Sequence, residues 1–366
     1  MFNRTLKIVM CLLLGLTALT ACKDDPIVFE EPKLPVVPPE SYDFENVDFS
    51  GQTARLNQLS ELILYVNTSN DSGVGLDIGV MREMFENTNN DGGGNFTFSA
   101  TKQLKDKCFE PDQSLIDDYF VRAAEISLTA EYGSSGVPGR VFSEDSSAMR
   151  LFDENGWEYG QFIEKTIMGA LCYYQATSHY LIDEQLDVDN ETVVIGEGTV
   201  MQHHWDEAYG YFGAPIEFPE SVEDVRYWAK YCVGRDSRLG TIESLGEAFR
   251  RGRQAINVHR YDVRDEARDD IRESWELVCA ATAIHFINVA IDNVTEDYGR
   301  NHALSGAYVF IQNLKYNEEK SITNGQIDEA LGIIGINFYE VTLDDLKAAR
   351  EKIAEVYEIK GHQTQL

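Results

Sequence analysis

"DVRDEARDDIRESWELVCAATAIHFINVAIDNVTED", residues 262–297, is the longest helical pattern in the chain. Ile271, Trp275, Val278, Thr282, His285 and Val289 recur every three or four residues, which puts them on one stripe of a 3.6-residue helix. No proline or glycine interrupts the run. Arg264, Arg268 and Arg272 stand four apart near its start, and Asp265 and Asp269 each stand three residues before an arginine. That spacing suits helix-surface ion pairs better than an anion pocket. His285, alone on the apolar stripe, reads as a hydrogen-bonded core residue rather than a ligand.

The same periodicity runs outward in both directions. Leu56, Leu59, Leu62, Ile63 and Val66 share one helix face, and Ile78, Met81, Met84 and Phe85 begin a second. Leu115, Tyr119, Phe120 and Ala123 mark a third, and Phe162, Ile163, Ile167, Ala170, Leu171 and Tyr174 a long fourth. Val222, Val225, Ala229 and Cys232 share a face, as do Ile242, Leu245, Phe249, Gly252 and Ile256. Thr342 and Asp345 open the last helix as a capping box with Asp in place of Glu. "TVVIG" (192–196) is the one short strand candidate. The pattern predicts an all-α helical bundle, a single domain over 45–358, with two packed helical halves, about 45–185 and 200–358, as the finer division. Residues 359–366 read as a C-terminal tail.

The N-terminus carries Arg4 and Lys7 and then an uncharged apolar run to Ala21. That run is shorter than the roughly 20 residues a membrane span needs, and it has the flanks of a secretory signal over 1–21. Its end, "LTAC" (19–22), resembles a bacterial lipobox. The resemblance implies cleavage before Cys22 and lipidation of that cysteine, palmitate included. Lys23, Asp24 and Asp25 resemble the surface-export signal of Bacteroidota lipoproteins, which places the chain on the outer membrane, lipid-anchored and exposed at the cell surface. Residues 22–44 hold five of the nine prolines and read as a semi-rigid spacer.

A net charge of −31 argues against nucleic acid as a partner and fits equally solubility outside the cell or attraction for cations or cationic ligands. Beyond Cys11 and Cys22, the four cysteines 108, 172, 232 and 279 show no CxxC spacing, so a structural zinc knot is not expected. Buried thiols and one or two disulfides of unreadable pairing both remain open. "DVDNETVVIGEG" (187–198) fails as a calcium loop, because Thr192 stands where glycine is required and Gly198 where glutamate is. No nucleophile elbow, dinucleotide fingerprint, phosphate loop or HExxH occurs.

One segment does concentrate chemistry: "MQHHWDEAYGYFGAP", 201–215. It predicts a helix from about Val200 to Phe212, ended by Gly213 and Pro215. His204 and Glu207, three apart, project from the same face, and His203 with Glu207 is a second pairing at four. An imidazole and a carboxylate at that spacing can share iron or zinc, as in di-iron bundles. Two ligands are too few, and Glu164, His179, Glu243, Glu247 and His285 are the further candidates. The competing reading is a hydrogen-bonded polar patch between helices.

The stretches "DFSGQTARLNQLSEL" (48–62), "NFTFSATKQLKDK" (95–107), "HHWDEAYGYFGAP" (203–215), "YWAKY" (227–231) and "HALSGAYVFIQNLKYN" (302–317) resemble the Bacteroidota lipoprotein family of the domain of unknown function 4856. Gly306 stands where that family's pattern would have Glu. The His-x-x-Glu of 204–207 also resembles, more distantly, part of the Gly-x-His-x-x-Glu motif of imelysin-like proteins, with Gln202 in the glycine's place. That resemblance implies a two-bundle helical fold and a role in iron acquisition beside a TonB-dependent outer-membrane receptor. The function expected is a non-enzymatic binding component; the alternative is a metallohydrolase using the His-x-x-Glu site. Metabolic labelling with a palmitate analogue is expected to mark the wild type and not Cys22→Ala, and equal labelling of the two would remove the lipid anchor.

Overall fold

Twelve α-helices and one hairpin make up most of the regular structure of the described residues, 35–71 and 73–366 of this computed structural model. The expected signal peptide, Cys22, the expected export signal Lys23-Asp24-Asp25 and the expected spacer up to residue 34 lie outside the described residues. In chain order come α1 (Ser50–Asn67), α2 (Ile78–Glu86), α3 (Gln113–Ser127), β1 (Gly139–Phe142), β2 (Met149–Phe152), α4 (Tyr159–Ile167) and α5 (Asp183–Leu186). They are followed by α6 (Val200–Phe212), α7 (Tyr227–Leu239), α8 (Thr241–Asn257), α9 (Tyr261–Asp292), α10 (Asp297–Asn313), α11 (Asn324–Ile334) and α12 (Leu343–Val356). The fold is all-α, as the periodicity predicts.

The 262–297 pattern becomes α9, and α9 is the core. Seven consecutive residues, Val278 to Ile284, have no solvent exposure at all. A helix buried on every side must offer its neighbours only apolar or internally bonded groups. Alanines 280, 281 and 283 let those neighbours approach closely, and Thr282 returns its hydroxyl to Val278 O at 2.7 Å. Helices α7, α8, α10 and α12 pack around α9. Among the described residues α9 is the one helix long and apolar enough to cross a membrane, and here that apolar length lies largely inside the protein. Trp275 is its hub: its ring lies 5.2 Å from Phe212 on α6, 5.5 Å from Tyr173 and 5.9 Å from Trp228 on α7.

Contacts cross the expected division into halves, since α1 packs on α6 and α4 packs on α10. Residues Val36–Leu366 form one unit. The stretch 36–44, expected as spacer, is instead a strap on that unit: Tyr42 is fully buried and stacks on Tyr209 at 3.5 Å. At the other end, residues 359–366 return to α9, where Asn288 Nδ2 donates to Gln363 O at 2.7 Å.

Two further expectations need correction. "TVVIG" forms no strand: it ends in a turn closed by the Val194–Gly198 bridge, and Val193, Val194 and Ile195 are exposed. An apolar run without a partner edge has no ladder to join. The strands observed, β1 and β2, pair antiparallel at Gly139–Phe152 through Phe142–Met149. The predicted long fourth helix is continuous but not α throughout, because α4 passes into π-helix over Met168–Tyr173 and again over Ala176–Tyr180. Asn313 Nδ2 donates to Lys165 O at 2.9 Å, taking an acceptor that the Gly169 amide would use in an α-helix. Only glycine fits beside that amide, since a Cβ on Gly169 would stand 2.2 Å from Asn313 Oδ1.

Helix α8 meets α6 at an equally tight point. A Cβ on Gly252 would lie 2.0 Å from the buried Trp205 ring. Alanine at a mid-helix glycine normally gains about 1 kcal/mol. Here overpacking, typically about 1–3 kcal/mol, outweighs it, because Trp205 is fixed by its Nε1 bond to Phe249 O at 3.0 Å. Gly252→Ala is therefore expected to lower the melting temperature, which a thermal denaturation series would read directly.

Candidate functional site

Helix α6 spans Val200–Phe212, as its sequence predicts, for reasons local to the chain. Thr199 Oγ1 accepts from Gln202 N at 3.2 Å and Gln202 Oε1 accepts from Thr199 N at 2.8 Å, a reciprocal capping box. Gly213 ends the helix at φ 85°, a left-handed position that glycine takes without penalty. Trp205, Tyr209 and Phe212 pack into the aromatic core against Phe249 and Trp275.

The polar face does not assemble the expected centre. His204 Nδ1 is 2.6 Å from Gln185 O, and its ring lies 6.0 Å from that of Tyr180. Glu207 Oε1 instead accepts from Gln52 Nε2 of α1 at 2.9 Å. His203 Nε2 and Glu207 Oε2 are 4.0 Å apart, a loose ion pair. His204 and Glu207 thus hydrogen-bond to different partners, and only His203 and Glu207 approach each other. Among the described residues no three His, Cys, Asp or Glu side chains are placed to hold a metal ion. The donor set does not fit iron or zinc bound by His204 and Glu207.

Of the reserve candidates, His179 is the one drawn to this face. Burial lowers its pKa first, with Lys107 and His204 acting the same way and Glu207 opposing. Glu164 pairs with Lys165, Glu247 lies 3.5 Å from Arg251, Glu243 opens α8, and His285 sits beside Phe286. His302, without a partner in sequence, finds Glu158 at 2.5 Å, and Glu158 is also 3.5 Å from Arg150.

Beneath the histidines lies a buried charge that sequence reading missed. Asp206 and Arg253 are both fully buried, with Arg253 Nε donating to Asp206 Oδ1 at 2.9 Å. The strap's Tyr42 hydroxyl donates to the same oxygen at 2.7 Å, while Asp206 Oδ2 has no protein partner. Burial pushes the Asp206 carboxyl up to about 6, against the pull of Arg253. A signal existed: Arg253 falls four residues after Phe249 and three before Ile256, on a core-facing stripe where a lone charge needs a partner.

A large cleft adjoins His179 rather than the His204–Glu207 pair. It has a volume of about 930 Å3 and is lined by Tyr174, Ser178 and His179 from the π-helical run, by α9 and by residues 318–321. Seven carboxylates line it, among them Asp269, Glu273, Glu318 and Glu319, against the two arginines 268 and 272. Those arginines are committed. Arg272 Nη2 donates to Leu181 O at 2.6 Å and its Nε to Thr177 O at 3.2 Å, while Arg268 bonds Asp183 at 2.5 Å. Arg264 completes the series on Leu186 O at 2.7 Å. The arginine series is therefore structural, as its spacing suggests. Arg264 and Arg272 cap carbonyls of α5 and the π-helical run, while Arg268 pairs with the carboxylates of Asp183 and Asp269. The floor is Glu276, 1 % exposed, whose carboxylate accepts Tyr357 OH at 2.7 Å and Ser321 N at 2.9 Å.

Taken together, the molecule is an all-α domain with a carboxylate-rich cleft and no assembled metal centre among its described residues. It belongs to the family of the domain of unknown function DUF4856, whose family model matches residues 39–360. No curated protein and no solved structure matches the chain. The family's extent agrees with the packing of the strap, since it begins three residues before Tyr42.

Removing the Asp206 carboxylate would leave Arg253 buried without a counter-charge, so Asp206→Ala is expected to cost about 3–5 kcal/mol. Asp206→Asn retains an acceptor oxygen for Tyr42 and Arg253 and should cost less. Because the folded-state pKa is raised from 3.8 to about 6, the wild-type carboxyl favours folding fully below 3.8 and loses that contribution as pH rises through about 6. Denaturation of wild type and Asp206→Asn across that window should show the wild type gaining stability relative to the variant on acidification.

Proposed function

We propose that the protein is a surface-exposed outer-membrane lipoprotein that captures a metal-bearing or otherwise cationic ligand, without transforming it, for a TonB-dependent receptor. The observation that carries the binding reading is the cleft built on the π-helical run. Stretches of π-helix are frequent at functional positions, and this one supplies Ser178 and His179 to the carboxylate-lined cleft. With both lining arginines already bonded, the carboxylate excess is left to attract a cation. The lipobox at Cys22, the Lys23-Asp24-Asp25 signal and the proline-rich stretch support the location. The likeness to Bacteroidota lipoproteins and to imelysin-like proteins supports iron as the cargo.

Glu273, Glu318 and Glu319 are the carboxylates to change, since none of them is buried. Full-chain protein purified without an affinity tag would be analysed for metal and titrated with a ferric chelate and with zinc. Glu273→Gln/Glu318→Gln/Glu319→Gln is expected to weaken binding by about tenfold or more, roughly 1.4 kcal/mol, with little change in melting temperature. His204→Ala should leave affinity unchanged. Wild-type affinity in the triple variant would end the cleft reading, and chelator-sensitive peptide cleavage would replace it with the hydrolase alternative.

A further inference from the structure

Four cysteines are described, and all four are buried as free thiols. They divide into two kinds. Cys232 Sγ is 3.2 Å from Thr241 O and Cys279 Sγ is 3.2 Å from Phe310 O, so each of these thiols donates to a carbonyl and is satisfied where it stands. Among the described residues, neither the Cys108 nor the Cys172 thiol has a hydrogen-bond partner. The chain around them is bound together on both sides: Phe109 N donates to Ala170 O at 2.7 Å, and Gln175 Nε2 donates to Lys107 O at 2.8 Å. Residue 108 is therefore held against the helical turn that carries residue 172, 64 positions later in the chain. Burial pushes both thiols up, with Cys172 the next cause at Cys108.

We infer that Cys108 and Cys172 are a redox pair that closes into a disulfide during folding in an oxidising compartment, while Cys232 and Cys279 remain thiols. The oxidant is a disulfide of the thiol-exchange class. One cysteine thiolate attacks it to give a mixed disulfide, and the second thiolate displaces the carrier thiol. The two cysteines together lose two protons and two electrons, and the carrier disulfide is reduced to two thiols. Closure occurs before the core seals, because both thiols are inaccessible in the finished fold. The bond staples the 104–113 loop to the π-helical run and so to one wall of the cleft. That the protein meets such a compartment rests on the exported-lipoprotein reading; the pairing itself does not.

The test separates the two. Full-chain protein is unfolded and reduced, refolded in a glutathione redox buffer, alkylated, and mapped by mass spectrometry without reduction. The expected product is one cross-linked peptide joining Cys108 to Cys172, with Cys232 and Cys279 alkylated. The oxidised form should melt roughly 5–10 °C above the reduced one, and Cys108→Ser should abolish that difference. Four alkylated cysteines, or a cross-link to Cys232 or Cys279, would overturn the inference. The same map on protein taken directly from cell envelopes under alkylating conditions tests the compartment. Reduced cysteines there, with the refolded chain cross-linked, would count against export and leave the pairing standing.

Discussion

The architecture depends on the complete burial of α9 around Trp275. A 32-residue helix whose middle turns see no water obliges every flanking helix to bring an apolar face, and among the described residues the buried Trp275 Nε1 finds no hydrogen-bond partner there. That requirement explains why the aromatic rings of α6, α7, α8 and the π-helical run converge on one indole. It also explains why the charged first third of α9 is displaced outward, where its arginines meet carbonyl ends that have no partners of their own. Core and cleft are two consequences of the same helix changing character along its length.

What could be read from the sequence was whatever the chain settles locally. Helix α6 was legible at both ends because Thr199, Gln202 and Gly213 fix its limits within a few residues. The capping box at Thr342 and Asp345 was legible for the same reason. Distant partners were not. The π-helical run depends on Asn313, 148 positions away from the carbonyl it captures. The His302–Glu158 pair spans 144 positions and the Tyr42–Asp206 bond 164. The hairpin was missed because its strands do not alternate cleanly, whereas "TVVIG" resembled a strand only in composition.

The His-x-x-Glu spacing shows how far a motif reaches without its surroundings. Residues three apart on a helix share a face, and His204 and Glu207 do. Sharing a face does not fix a common focus, because side chains of that length turn to whatever neighbour satisfies them. Gln185 O lies on one side and Gln52 on the other, so the two groups part. The cleft beside them was invisible for the opposite reason. Its walls come from three separate stretches of chain, and none of them alone has an unusual composition.

The strap has a mechanical side. Residues 36–49 are gripped along their length: Arg250 holds Pro39 O and Glu40 O, Tyr42 is sealed against Tyr209, and Asn46 Oδ1 accepts from Gly196 N at 2.9 Å. A pull on the chain from its N-terminal side would load these fastenings one after another before any tension reached α1. The force would be spread over α6 and α8, the helices that back onto Trp275. A strap held in this way can come away only with the contacts of the core, so strap and interior would fail together rather than in turn.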